Sequence, residues 1–240
     1  HGIGGEVANW VKDWLSNRSQ RVTVDGAASK WRGVCSGVPQ GSVLGPVLFI
    51  LYINDLDLEI KSIISKFADD TKLAGKVTTV EDREQIKRDL IKLMEWADKW
   101  QMSFNVDKCK VMHIGSRNPK EEYTMLNGLL KQANEEKDLG VIITKDLKTT
   151  RQCLEAAKKA NKMLGLISRN IECKSQKTIL KLYNALVRPL LEYAVQFWSP
   201  NLAKNKDCLE RVQRRATKLI PSLKNKNYEE IFNSQLERHR

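Results

Sequence analysis

The chain has 240 residues, 41% of them apolar, and a formal net charge of +12 with an isoelectric point near 9.5. That apolar content excludes global disorder, the length allows one large domain or two small ones, and the charge favours a polyanionic partner, nucleic acid first and an acidic membrane surface second. No run of about 18 apolar residues occurs, so no helical membrane span is expected, and no signal peptide is legible.

In chain order, Val7, Trp10, Val11, Trp14 and Leu15 recur at helical spacing over Glu6 to Leu15, and Ser16-Asn17-Arg18 ends that helix. Gln20 to Asp25 and Ser29 to Val34 read as a hairpin turning at Asp25-Gly26. Trp10, Trp14 and Trp31 are expected to be core or half-buried. Ser36 to Pro46 packs Gly37, Gly41 and Gly45 with Pro39 and Pro46 into one shaped loop. Ser42 is a plausible N-cap and Pro46 fits the first turn of a helix running to about Leu58. A Gly-rich loop opening a helix can turn backbone N–H groups toward phosphate or ribose.

Ile63 to Phe67 and Thr71 to Gly75 read as two strands, with Asp69 and Asp70 at the hairpin tip. Asp favours turns, so plain turn chemistry explains the pair. The alternative is a divalent cation holding two like charges together, since Mg2+ commonly binds through one or two carboxylates plus substrate phosphates. Glu81 to Met102 is an amphipathic helix with Asp89 assigned to its charged outer face. Val111 to Ile114 is a strand, and lone His113 is a core or surface residue before it is a ligand. Tyr123 to Leu130, with Asn127-Gly128, is another hairpin. Leu139 to Ile143 is a buried strand.

From about Thr149 the chain reads as helical. Stripes run through Cys153, Ala157, Ala160, Leu164 and Ile167, then Ile179 to Tyr193, then Leu209 to Ile220. Pro189 should kink or split the second. Phe197-Trp198 reads as core rather than a base-stacking platform. Arg211, Arg214, Arg215 and Lys218 share one face, either solvated or in contact with phosphate. The five cysteines, Cys35, Cys109, Cys153, Cys173 and Cys208, are never in C-x-x-C pairs. That argues against a zinc site or disulfide framework and suits an intracellular, reducing compartment, with nucleus and cytoplasm both open.

Gly37-Val38-Pro39-Gln40-Gly41-Ser42-Val43-Leu44-Gly45-Pro46, then Tyr52-Ile53-Asn54-Asp55-Leu56, then Phe67-Ala68-Asp69-Asp70-Thr71 resemble the reverse transcriptases of non-LTR, LINE-type retrotransposons. The likeness is nearest to the jockey and chicken-repeat branch and covers essentially the whole chain. It implies an α+β fold: a partial right-hand polymerase palm, an antiparallel sheet with packed helices, over residues 1–145, and an α-helical thumb-like bundle over 146–240. It implies an RNA-directed DNA polymerase with an RNA template, a DNA primer and dNTP as partners, and Mg2+, with Mn2+ possible, as cofactor. Asp69 would hold metal and Asp70 assist. Gly37, Pro39, Gln40, Gly41 and Ser42 would position the nucleotide and template. Lys108, with Lys110 second, would approach the incoming nucleotide, and Leu139, Gly140 and Val141 would form a primer grip. In that setting Arg211, Arg214, Arg215 and Lys218 are expected to touch phosphate.

The first palm aspartate of this family, in the form aromatic-x-x-Ala-Phe-Asp, is absent from the sequence. The chain opens at His1 and reads as the back part of something longer, with the fingers absent too. Residues 1–240 alone are therefore expected to be inactive. The competing expectation is a non-catalytic nucleic-acid-binding remnant that uses the basic helix from Asp207 to Ile220.

Overall fold

Helix α1 (Gly5–Leu15) opens the chain, and Asn17 in the left-handed region turns it into a long ribbon. The ribbon pairs β1 (Arg18–Gln20), β2 (Thr23–Val24), β3 (Ala27–Ala28) and β4 (Arg32–Val34) as β1 with β4 and β2 with β3. Then come α2 (Leu44–Tyr52), β5 (Ile63–Phe67), β6 (Asp70–Ala74) and α3 (Val80–Lys99). Short strands follow: β7 (Lys110–Val111), β8 (Thr124–Met125), β9 (Gly128–Leu129), β10 (Lys131–Gln132), β11 (Glu135–Asp138) and β12 (Val141–Thr144). The rest is helical: α4 (Thr150–Asn170), α5 (Gln176–Leu182), a π-helical turn (Tyr183–Val187), α6 (Arg188–Glu192), α7 (Val195–Trp198), α8 (Ala203–Thr217) and a 3-10 turn (Pro221–Leu223). This is a computed structural model, and it describes residues 2–126 and 128–226.

The fold is α+β. Among the described residues the strands form two-stranded pairs only, antiparallel except for β7 beside β10. Two compact units divide the chain. One runs up to Cys109 and takes in Glu121–Leu130; the other holds Lys110–Lys120 and the chain from Lys131 onward. Position 145, expected to end the palm, falls inside the second unit, after β12.

In the first unit α3 begins with a reciprocal capping box: Asp82 N–H donates to Thr79 Oγ1 at 3.1 Å, and Thr79 N–H donates to Asp82 Oδ2 at 2.9 Å. Leu93 and Ala97 are buried on its inner face. Asp89 lies on that face too, at 0% exposure, and not on the charged outer side. Trp10 and Trp31 are also not core: they are 55% and 62% exposed. Trp10 instead stacks on half-buried Trp14, with ring centroids 6.1 Å apart.

In the second unit Leu164, Ile179, Val187, Val212 and Ile220 fill one apolar core from α4, α5, the π turn, and α8 with the turn after it. Each such side chain contributes about 1.5–3 kcal/mol by leaving water. Val141, Cys153, Ala156 and Trp198 form a second cluster. Trp198 is core, as its sequence context suggested, whereas Phe197 is 66% exposed. Pro189 does split its helix. Lacking an N–H, it sits in the first turn of α6, and the preceding turn widens so that Arg188 N–H reaches Tyr183 O.

Three further segments differ from expectation. The helix α2 stops at Tyr52, not Leu58. Beyond it the chain makes short turns, Leu56 N–H to Ile53 O at 3.3 Å and Leu58 N–H to Asp55 O at 3.2 Å. The strand expected over 111–114 shrinks to Lys110–Val111. Leu139 and Gly140 are not strand residues. Their φ values of +43° and +87° make them the two-residue turn joining β11 to β12.

Candidate functional site

The hairpin β5–β6 closes tightly. Phe67 pairs with Asp70, so the two turn residues are Ala68 and Asp69, and Asp70 is the first residue of β6. Ala68 has φ +52°, a left-handed conformation at the position where such turns favour glycine. Strain of this kind persists where the surroundings hold the backbone. Both carboxylates are exposed, and neither has a hydrogen-bond or ion-pair partner among the described residues. Two adjacent carboxylates therefore project from the tip.

The root of this hairpin is held at two points. At its entry, the buried Asp89 carboxylate accepts Ser62 N–H at 2.8 Å, Lys61 N–H at 3.2 Å and the Gln85 side-chain amide at 2.8 Å. Burial alone would raise its pKa. The hydrogen bonds from Ser62, Lys61 and Gln85 outweigh that and hold it below the ordinary 3.8, so Asp89 stays ionised. Further along β5, Lys66 Nζ donates to Asp57 Oδ1 at 2.7 Å, Asn54 O at 3.1 Å and Ile53 O at 3.3 Å. The Lys66 hydrogen bond depresses the Asp57 pKa against a smaller effect of burial. Lys66 thus ties β5 to the turn that follows α2. Asp55 accepts the Trp96 indole N–H at 2.9 Å and adds a second link, from the same turn to α3.

The other end of α2 carries the Gly-rich loop. Ser42 Oγ accepts Gly45 N–H at 2.9 Å and donates to Pro39 O at 2.7 Å, so it serves a first-turn N–H from one residue before the N-cap position, which is Val43 and not Ser42. Gly37 and Gly41 have φ of +73° and +81°, with open space where a side chain would stand. Pro39 is half-buried; Gln40 is exposed. Loop, α2, Lys66 and the Asp69 tip are therefore one connected piece of the first unit. Lys108 belongs to the same unit and is exposed in a turn closed by Asn105, whose backbone O accepts Lys108 N–H at 3.0 Å.

The remaining predicted residues lie in the second unit. Lys110 is committed to Glu136 at 2.8 Å. Tyr193 donates its hydroxyl to Leu139 O at 2.8 Å, buttressing the Leu139-Gly140 turn, and Val141 is buried beyond it. On α8, Asp207 pairs with Arg211 at 3.0 Å and Arg214 at 3.3 Å, while Glu210 pairs with Arg214 at 2.9 Å. Arg215 donates to Asn161 Oδ1 at 3.0 Å. Lys218 follows the helix and is exposed. That face is less positive than its arginines suggest.

Sequence reasoning passed over Asp89, Lys66 and Asp57. For Asp89 the signal was present: it stands four and eight residues before Leu93 and Ala97, hence on their face. As a cation holder the hairpin tip is one part of a site. Among the described residues no group of three or more His, Cys, Asp or Glu side chains is placed to hold a metal. Two accessible carboxylates still suit a hard cation that completes its shell with water and phosphate oxygens.

The reverse transcriptase (RNA-dependent DNA polymerase) family model matches residues 2–168, a stretch that holds the glycine loop, α2 and the paired-aspartate hairpin. The chain belongs to that family. Among individual proteins it is similar to the RNA-directed DNA polymerase from mobile element jockey of Drosophila funebris, 29% identical over 209 residues, 82% of this chain and 23% of that protein. It is also similar to the probable RNA-directed DNA polymerase from transposon X-element of Drosophila melanogaster, 28% identical over 223 residues, 88% of this chain and 24% of that protein. The chain thus spans about a quarter of the length of these curated relatives. No solved structure matches it. No helix among the described residues is long and apolar enough to cross a membrane.

Proposed function

We propose that this chain is a segment of a non-LTR retrotransposon reverse transcriptase, with part of the palm in residues 1–145 and a thumb-like bundle from 146 onward. Its role is nucleotidyl transfer from dNTP to a primer 3′-OH on an RNA template. The observation that carries this reading is the exposed Asp69-Asp70 pair, without a partner among the described residues, on a hairpin anchored to the turn that follows the helix of the Gly-rich loop. A divalent cation held there, Mg2+ or Mn2+, supplies charge stabilisation to the attacking and leaving oxygens.

The protein's own contributions are separable. Asp69 and Asp70 present anionic oxygens at a fixed point. Gly37, Pro39, Gln40, Gly41 and Ser42 offer an open loop for sugar and base, and Lys108 brings a cation to the same unit. The Leu139-Gly140-Val141 turn is the primer-contacting element. Arg215 and Lys218, less engaged by carboxylates than Arg211 and Arg214, carry the phosphate contacts of α8. Residues 1–240 contain no aromatic-x-x-Ala-Phe-Asp motif to add the converging carboxylate. Groups that act as a unit lose most of their effect when one is missing, so this segment is inactive by itself.

Primer extension tests the reading, using residues 1–240 joined to a palm strand that carries the missing aspartate. Templated incorporation is expected, with a loss on the order of a thousandfold in Asp69→Asn. Equal incorporation by Asp69→Asn overturns it.

A further inference from the structure

The ribbon from Arg18 to Val34 buries almost nothing. Every residue from Ser19 to Gly33 is exposed. Val22 and Val24 are 67% and 63% open, and Trp31 is 62% open. Yet the ribbon is well formed. Asp25 and Gly26, with φ of +49° and +83°, close its tip, and Ser29 bonds Val22 through both its backbone N–H, at 2.9 Å, and its hydroxyl, at 3.0 Å. Core packing does not account for the large aromatic on it.

What accompanies Trp31 is charge. The Arg21 guanidinium carbon lies 4.7 Å from the Trp31 ring centroid, a cation–π stack. Arg18, Arg21, Lys30 and Arg32 stand on the ribbon against the single carboxylate of Asp25. Gly33 has open space where a side chain would be, so nothing crowds Trp31 from that side. At the root, Arg18 donates to Leu15 O at 2.8 Å and Gly37 O at 2.5 Å, bolting the ribbon to the start of the Gly-rich loop.

We propose that this ribbon docks single-stranded nucleic acid. A base stacks on the open part of the Trp31 ring, and Arg21, Lys30 and Arg32 meet the flanking phosphates. An exposed aromatic, an arginine stacked on it and a run of cations are the parts with which proteins hold single strands without reading sequence. The same surface suits a protein partner poorly, since its charge is of one sign and its apolar groups are scattered. The strand so held is delivered to the loop at Gly37. The proposal goes beyond the polymerase reading and does not require it.

The test is fluorescence anisotropy of a labelled 16-nucleotide oligouridylate titrated with residues 1–240 at nanomolar concentration and several salt concentrations. Trp31→Ala should weaken binding about tenfold with an unchanged salt slope, and Trp31→Phe should restore most of it. Arg21→Ala and Arg32→Ala should each weaken binding and reduce the salt slope by about 0.7. Trp10→Ala removes an equally exposed aromatic from α1 and should change nothing. Circular dichroism checks that each variant is folded. Photo-crosslinking with 4-thiouridine should map to residues 21–32. Binding that is the same for parent, Trp31→Ala and Arg21→Ala, or crosslinks confined to α8, overturns the proposal. Because incorporation is never measured, this outcome leaves the reading of Asp69 standing or falling on its own assay.

Discussion

The carboxylate of Asp89, in the middle of α3, receives the backbone N–H of Ser62, one residue before β5, at 2.8 Å. This buried hydrogen bond fixes the register in which the strand leading to Asp69 leaves the preceding turn. Asp89→Ala leaves two backbone donors and an amide without their acceptor. It should lower stability by about 3 kcal/mol, and Asp89→Asn by about 2. Urea denaturation at neutral pH measures both, as a lower midpoint with an unchanged slope.

The pH dependence has a definite sign. The folded-state pKa of Asp89 lies below its ordinary 3.8. Its contribution is therefore fully present above that value and is lost as pH falls through the folded-state pKa. Wild-type chain should lose stability in that acidic window more steeply than Asp89→Asn, as read by denaturation midpoints in a pH series.

Gly45 is required for space rather than for backbone freedom. A Cβ there would stand 2.9 Å from Ser42 Oγ and 3.0 Å from Pro39 O, the two atoms of the loop's central hydrogen bond. Gly45→Ala should cost about 2 kcal/mol by forcing that contact apart. The same substitution at Gly41, strained only by its φ, should cost about 1. Thermal denaturation ranks the two.

Ile63 and Phe67 leave 75% and 59% of their surface open on the outer face of a hairpin whose strands, among the described residues, pair only with each other. Unpaired edges with apolar faces associate. The chain should self-associate at micromolar concentration, and Ile63→Lys should shift it toward monomer in size-exclusion chromatography. A sharp monomer peak for the parent contradicts this.

Much of the local structure was legible where one local rule acts alone. Asp25-Gly26 made its turn and Pro189 its break, and the stripe from Cys153 to Ile167 became the inner face of α4. What was not legible depended on partners distant in sequence. Nothing near Tyr52 says that α2 stops there, and the turn after it is held by Lys66, more than ten residues on. Asp89 stood on the face of Leu93 and Ala97, but the backbone donors that satisfy it, Lys61 and Ser62, come from another element. Trp31 looked like core because its Arg21 neighbour is visible only once the ribbon is folded. The paired aspartates could be read from sequence as far as the hairpin, but not that Ala68 would take the strained position and leave Asp70 inside β6.

Whether Asp69 and Asp70 hold a divalent cation is decided by Mn2+ titration of isotopically labelled residues 1–240, followed by paramagnetic broadening of backbone amides. Broadening should centre on Phe67 to Thr71 at the lowest Mn2+ additions, be relieved by excess Mg2+, and be absent in Asp69→Asn with the hairpin still folded. Broadening that begins elsewhere, or that persists unchanged in Asp69→Asn, contradicts it.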